Sequence, residues 1–251
     1  MKKTIFYIVT LFTVLWQPVY GNTEAIKKAN ELYAAGNYSE AAQAYENIIS
    51  QYGVAPELYY NLGNAYYKMN ETGKSVLNYE RALRLRPGYK NAEINLEFAQ
   101  ARVVDNVVPV PSFFIKRWLG NLMKLLNTNQ WFWIAAIAFI ITLVFILLFV
   151  YSGTYFMRRV SFYTAAVTGV IVVISLLFSG IRKNQMLNHD SAVIMTGSVT
   201  VKSSPDKSGT DLYQLHEGTK VDVKSKLGDW TEIVLSNGNP GWVMNNSIEE
   251  I

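Results

Sequence analysis

Asparagine and tyrosine side chains recur in the first half of the chain at a spacing that could bind a peptide. Asn30 and Asn64 lie 34 residues apart, and so do Asn61 and Asn95. An asparagine amide both donates and accepts hydrogen bonds, so it can pair with the backbone of an extended peptide whatever its side chains. The alternative is that some of these asparagines cap or bridge helices, because buried polar groups usually serve structure. The candidate groove residues are Asn30, Tyr33, Tyr60, Asn61, Asn64, Tyr67 and Asn95.

Residues for catalysis or metal binding are scarce in this sequence. The 251 residues include no cysteine and two histidines, His189 and His216, and neither has Asp, Glu or Cys at metal-ligand spacing. No serine-hydrolase motif, phosphate loop or dinucleotide-binding motif is present. Basic residues occur in short runs mixed with acids, which is not the pattern of a nucleic-acid-binding surface. We therefore predict a non-enzymatic protein with no cofactor, no metal site and no nucleic-acid partner.

An internal repeat positions the asparagines. A shift of 34 residues places Ala29 on Gly63, Tyr33 on Tyr67 and Tyr45 on Tyr79. Small and large aromatic residues at such positions are typical of two short antiparallel helices that pack closely and stack on a copy of themselves. Glycine within a helix costs about 1 kcal/mol relative to alanine. We therefore expect Gly63 to be small so that a neighbouring helix can approach.

This pattern resembles the tetratricopeptide repeat, whose domains bind protein partners. The first copy is looser than the second, and the third, residues 90–103, keeps Leu96 but has Glu97 where Gly63 would recur. We interpret this third helix as a solvating cap, since the end of a helical stack needs a polar outer face. The resemblance predicts a repeat domain at residues 22–104. In the second copy the matching residues are Tyr59, Leu62, Gly63, Tyr66, Ser75, Tyr79, Ala82 and Pro87.

Three apolar segments predict a membrane protein. Residues 1–21 combine two lysines with a short apolar run and are typical of a signal peptide, the alternative being an uncleaved anchor or a buried helix. Residues 131–151 and 160–181 are each long enough to cross about 30 Å of hydrocarbon. With a cytoplasmic loop at 152–159, they predict a multi-pass protein of the inner membrane with both soluble domains on the periplasmic side. The positive-inside rule gives weak support, because basic residues also flank the outer ends of the spans.

The segments around the spans carry two further patterns. Residues 105–130 form a linker and an amphipathic helix that can lie in the lipid headgroup region, or alternatively dock on the repeats. In the second span, Ala165 and Gly169 are spaced as small residues that let membrane helices approach closely. Replacing Gly169 by leucine should loosen the hairpin, unless this face of the helix meets lipid.

After a linker at 182–190, the hydrophobic period changes to the alternation of short strands. Residues 191–251, with Gly228-Asp229-Trp230 and the stretch NGNPGWV at 237–243, resemble a bacterial SH3 domain. Such small barrels bind peptides or, in exported bacterial proteins, cell-wall material. We expect Trp230 and Trp242 to fill the core, because a small barrel needs large side chains. Tyr213 is the better surface residue. The candidate ligand surface is Tyr213, Trp230 and Trp242.

The predicted fold class is a multidomain α, membrane and β protein: tetratricopeptide helical repeats, a two-helix transmembrane hairpin and a small SH3-like β-barrel. This order resembles the BatE-type proteins of the Bacteroides aerotolerance (Bat) group. The resemblance implies a role in oxygen tolerance and cell-envelope stress, with membrane-anchored von Willebrand A-domain proteins and a MoxR-type ATPase as associates. Two functions follow. The repeats hold a protein partner beside the lipid bilayer, or the SH3-like domain contacts peptidoglycan and senses the wall.

Overall fold

The computed structural model describes residues 23–105, 107–108, 110, 113–187 and 190–251. The chain divides into two compact units, Met1–Val54 and Ala55–Ile251, of which the first is described from Thr23 onward. The predicted signal peptide at 1–21 lies outside the described residues, and it stays a prediction.

The first unit is a helical hairpin. Helix α1 (Thr23–Ala34) and helix α2 (Tyr38–Tyr52) are joined by a turn in which Gly36 has φ 85°, a left-handed conformation that favours glycine. Ala29 and Tyr45 are buried between the helices, which is the small-to-aromatic packing that the repeat pattern predicts.

The second unit begins with helices α3 (Pro56–Lys68), α4 (Thr72–Leu85) and α5 (Lys90–Gln100). Pro56 is the first residue of α3, where its fixed φ suits a helix start and its missing N–H costs no hydrogen bond. A Cβ atom at Gly63 would lie 2.7 Å from the ring of Tyr79 on α4. The expectation that Gly63 is small to admit a neighbouring helix is therefore confirmed, and the close approach offsets the helix-propensity cost.

Helix α6 (Phe114–Lys124) is the predicted amphipathic helix. Several of its large apolar residues, among them Phe114 and Trp118, are exposed, whereas Leu122 and Met123 are half-buried. The described part of the chain therefore leaves much of the apolar face of α6 uncovered. Both alternatives, a helix in the lipid headgroups and a helix docked on the repeats, stay predictions.

Two long apolar helices follow. Helix α7 (Thr128–Tyr151) starts with a capping box, in which the Asn127 side chain accepts from Gln130 N at 2.9 Å and Gln130 Oε1 accepts from Asn127 N at 3.0 Å. Helix α8 (Tyr155–Leu187) has 33 residues, about 50 Å at 1.5 Å per residue, which exceeds the thickness of the hydrocarbon layer. Only residues 152–154 connect the two helices, fewer than the predicted loop of 152–159. By length and composition both helices are apolar enough to cross a membrane.

The two helices pack antiparallel through small polar residues. Thr142 Oγ1 donates to Thr168 Oγ1 at 2.7 Å, and Ser161 and Ser175, seven residues to either side of Thr168 on α8, are buried. A Cβ atom at Gly169 would meet no atom of the described residues within 4 Å. The prediction that Gly169 allows the spans to approach is therefore wrong, because the heptad of serine and threonine supplies the contact face.

The C-terminal part contains seven strands: β1 (Ser191–Ile194), β2 (Ser198–Lys202), β3 (Asp211–His216), β4 (Lys220–Leu227), β5 (Trp230–Val234), β6 (Pro240–Met244) and β7 (Ile248–Glu250). They form one antiparallel sheet in the order β3-β2-β6-β5-β4-β1-β7. No pairing joins β3 to β7 among the described residues, so the sheet is not closed and the predicted SH3-like barrel is not confirmed. A 3-10 turn, Asn245–Ser247, separates the last two strands.

The sheet packs on the helical repeat, which the sequence did not predict. Val193 of β1 is fully buried in one apolar cluster with Val76 and Leu77 of α4. At the start of α4, Gly73 N donates to Glu217 Oε1 at 2.8 Å. Part of the sheet therefore covers the end of the repeat, where the sequence predicts only a polar cap.

A second contact joins the sheet to the segment after α5. Asp105 accepts from His216 N at 2.6 Å and from Thr219 Oγ1 at 2.6 Å, and its other oxygen lies 2.7 Å from His216 Nδ1. Burial alone would raise the pKa of Asp105, but hydrogen bonds from Thr219 and His216 lower it below its ordinary value. The Asp105 carboxylate therefore links the segment after α5 to the end of β3 and to the turn between β3 and β4.

Candidate peptide-binding groove

The candidate groove lies on α3 and α5 of the second unit. Tyr60, Asn64 and Tyr67 are spaced four and then three residues apart, so they share one face of α3. Asn95 lies beside them on α5, and all four side chains are half-buried. Asn61 is on the same helix and is also half-buried. Five of the seven residues predicted for the groove therefore lie on these two helices.

Asn64 is the centre of a hydrogen-bond network. Its Oδ1 accepts from the hydroxyl of Tyr79 on α4 at 2.7 Å and from Nδ2 of Asn95 on α5 at 2.7 Å. Asn95 Nδ2 also lies 3.3 Å from the hydroxyl of Tyr60. One amide therefore links three helices, as the alternative of bridging asparagines proposed.

The same network leaves polar atoms for a ligand. Asn64 Nδ2 and Asn95 Oδ1 make no hydrogen bond within the described residues, although both side chains are held in place by their other amide atom. An amide group fixed in this way offers a donor and an acceptor without further loss of rotamer freedom. The bridging and peptide-binding interpretations are therefore compatible, and peptide contact stays a prediction.

Aromatic rings line the groove on either side of Asn64. Tyr60 packs against Tyr79 and Tyr89 with ring centroids 6.1 and 5.2 Å away. The guanidinium of Arg102 lies 3.6 Å from the centroid of the Tyr67 ring, and its Nη1 donates to the backbone oxygen of Tyr67 at 3.2 Å. Sequence reasoning missed Arg102, because the residue lies beyond the last helix of the repeat and carries no periodic signal.

The two remaining groove candidates belong to the first unit. The Tyr45 hydroxyl donates to Asn30 Oδ1 at 2.6 Å, which repeats the pair of Tyr79 and Asn64. Burial, with the nearby Tyr33, raises the pKa of Tyr45 to about 12. Tyr33 is half-buried and packs edge-on against Tyr38 with ring centroids 5.3 Å apart. A tyrosine-to-asparagine bond between the two helices is thus a shared feature of both copies.

The two tryptophans of the sheet are not placed as expected, and Tyr213 is half-buried like them. Trp230 and Trp242 are half-buried and alternate with the fully buried Thr231 and Val243, so they lie on the outer face of the sheet. The prediction that they fill the core is wrong. Tyr213, predicted for the surface, packs against the core, and its hydroxyl lies 3.3 Å from the backbone oxygens of residues 239 and 240. Burial raises its pKa.

Comparison with known proteins identifies the helical repeats. Residues 26–97 match the tetratricopeptide repeat family. A tetratricopeptide repeat and J domain-containing co-chaperone of Cryptococcus neoformans var. grubii is 32% identical over 88 residues, which are 33% of this chain and 17% of the co-chaperone. A TPR repeat-containing thioredoxin of Arabidopsis thaliana is 35% identical over 78 residues, which are 30% of this chain and 11% of that protein. This chain therefore covers less than a fifth of either relative. No solved structure matches it significantly.

Proposed function

We propose that this protein is a non-enzymatic, membrane-anchored scaffold that binds a protein partner through the groove on α3 and α5. The observation that carries the proposal is the pair of fixed amides, in which Asn64 Nδ2 and Asn95 Oδ1 stay available beside the rings of Tyr60 and Tyr67. An extended peptide presents alternating N–H and C=O groups that match one donor and one acceptor. The tetratricopeptide match supports protein binding as the role of this surface.

The two apolar helices support the membrane anchor. In a soluble protein a helix this apolar would be buried, yet only 11% and 6% of the most apolar windows of α7 and α8 are buried. An exposed apolar surface of this length is stable in lipid and not in water. The exposed apolar residues of α6 next to α7 extend the surface that lipid would cover.

The contacts between the sheet and α4 support a topology in which the sheet and the repeat lie on the same side of the hairpin. We place that side in the periplasm of an inner-membrane protein because of the predicted signal peptide. The partner we favour is a membrane-anchored protein with a von Willebrand A domain, in a cell-envelope complex for oxygen tolerance. This choice rests on the order of segments that resembles the BatE-type proteins.

Co-purification tests this scaffold function. The full chain, crosslinked in cells and extracted in detergent, is expected to retain a protein partner. Tyr67→Ala should weaken retention, because losing a buried aromatic contact costs about 2 kcal/mol or more at a binding hot spot. Tyr52→Ala is the matched control, since Tyr52 is an exposed tyrosine on α2. Equal retention by both variants would argue against the groove.

A second candidate function has its own observation. Trp230 and Trp242 lie on the outer face of the sheet at adjacent register positions, as Trp230 pairs with Met244 and Trp242 with Glu232. Half-buried tryptophan rings on an outer face can stack on sugars and peptides, which fits binding of the cell wall. If this is the main function, the chain cosediments with isolated wall material and Trp242→Ala abolishes the cosedimentation.

A further inference from the structure

A buried arginine at the end of α8 has no acidic partner. Arg182 is 8% exposed, and its Nη1 donates to Gln185 Oε1 at 2.9 Å. Its Nε has no hydrogen-bond partner, and no carboxylate forms an ion pair with it among residues 23–105, 107–108, 110, 113–187 and 190–251. A buried charge without a counter-charge is unfavourable, because its lost hydration is not replaced. An anion beside Arg182 would offset that cost.

Arg182 lines a cavity of about 340 Å³. Gln185 lines it from the same helix, Arg84 from α4, Lys124 from the end of α6 and Lys220 from the start of β4. Basic residues from four different elements thus line one space beside the last turns of α8.

The acidic residues of the cavity do not neutralise all of this charge. Glu80 pairs with Lys220 at 2.7 Å, and Glu93 pairs with Lys90 at 3.4 Å. Asp190 also lines the cavity, but within the described part of the chain it forms no ion pair. Arg84 donates to the backbone oxygen of Ile251.

Arg182 and Lys124 both line this cavity, and within the described residues no side-chain carboxylate forms an ion pair with either of them. They come from different elements, α8 and the end of α6.

We infer that this cavity binds a phosphate group, held by Arg182 with Lys124. The guanidinium has a planar set of donors that matches phosphate oxygens, and Nη2 of Arg182 makes no hydrogen bond within the described residues, so it can donate to a phosphate. An ammonium such as that of Lys124 adds a second charge. The phosphate belongs either to an anionic lipid headgroup or to a soluble phosphate. The inference goes beyond the scaffold function, because it uses neither the groove nor the sheet's tryptophans.

Thermal unfolding of the full chain in a neutral detergent tests the site with two probes, short-chain phosphatidylglycerol and inorganic phosphate. Diacylglycerol with the same acyl chains is the phosphate-free control. A ligand that binds only the folded protein should raise Tm by roughly 5 °C at one hundred times its Kd. A shift with phosphatidylglycerol alone assigns the site to lipid, and a shift with inorganic phosphate assigns it to a soluble ligand.

Variants link the shift to this cavity. Arg182→Gln should lose the shift, and Arg182→Lys should retain part of it. Lys183→Gln is the matched control, since Lys183 is an exposed cation next to Arg182 that does not line the cavity. Lys124→Gln removes an exposed charge, and it should weaken the response even if Arg182→Gln fails to fold. No shift with either probe in the unmodified chain, or equal loss in Lys183→Gln, would overturn the inference.

Discussion

At the scale of single residues, Asn64 determines how the second repeat holds together. Its side-chain oxygen accepts one hydrogen bond from Tyr79 on α4 and one from Asn95 on α5. Asn64→Ala removes the oxygen that accepts from the Tyr79 hydroxyl and from Asn95, so we expect a loss of about 1–3 kcal/mol in the free energy of unfolding. Thermal denaturation followed by circular dichroism measures this. The control is Asn91→Ala on α5, an exposed asparagine that should change stability by less than about 0.5 kcal/mol. Equal values for the two variants would contradict the bridging role.

Asp105 predicts a pH dependence. Because hydrogen bonds in the folded state lower its pKa, its contribution is complete above the pKa of an unfolded aspartate, about 3.9, and is lost as pH falls through the lower folded pKa. Asp105→Asn should therefore destabilise the protein at neutral pH by about 1.5–3 kcal/mol, as expected for hydrogen bonds to a charged group. The difference in free energy of unfolding between the unmodified protein and Asp105→Asn should become smaller as the pH falls. Urea titrations at several pH values test this, with the exposed Asp229→Asn as control.

Among the elements, α4 and β1 should unfold together. Val193 is buried against α4, whereas Val201 is buried in the core of the sheet itself. Replacing either valine by alanine should cost about 1–3 kcal/mol. Only Val193→Ala should also speed amide hydrogen exchange in α4, because it removes a contact that α4 shares. Faster exchange in α4 from both variants, or from neither, would mean that the sheet and the repeat are not coupled through Val193.

The apolar hairpin gives a second test among the elements. Ser175→Leu adds a large side chain at a buried contact between α7 and α8 and should cost about 1–3 kcal/mol. Gly169→Leu on the same helix should be tolerated, since a side chain there meets no described atom. Thermal stability in detergent distinguishes the variants. If Gly169→Leu loses more thermal stability than Ser175→Leu, Gly169 lies at the contact between α7 and α8, as the sequence predicts.

For the molecule as a whole, sequence reasoning succeeds where a periodic signal exists. The 34-residue period predicts the helices and the contact of Gly63 with Tyr79, and alternation predicts the strands. The docking of sheet on repeat has no such signal, because it joins residues as distant as Gly73 and Glu217 through single side-chain contacts. The sequence pattern also does not predict that Trp230 lies on the outer face. Both faces of β5 carry large apolar residues, so the pattern does not determine which face is buried.

The central claim is that the face of α3 and α5 with Tyr67 holds a protein partner. Site-specific photocrosslinking in the native host tests it most directly, with Tyr67 replaced by photoreactive p-benzoylphenylalanine. The same replacement at exposed Tyr52 is the control, and Trp242 tests the outer face of the sheet. We predict a light-dependent protein adduct of discrete mass from position 67 and none from position 52. The contrary result is no adduct at position 67 together with wall fragments or protein crosslinked at position 242. It would contradict partner binding by the groove and favour ligand binding by the outer face of the sheet.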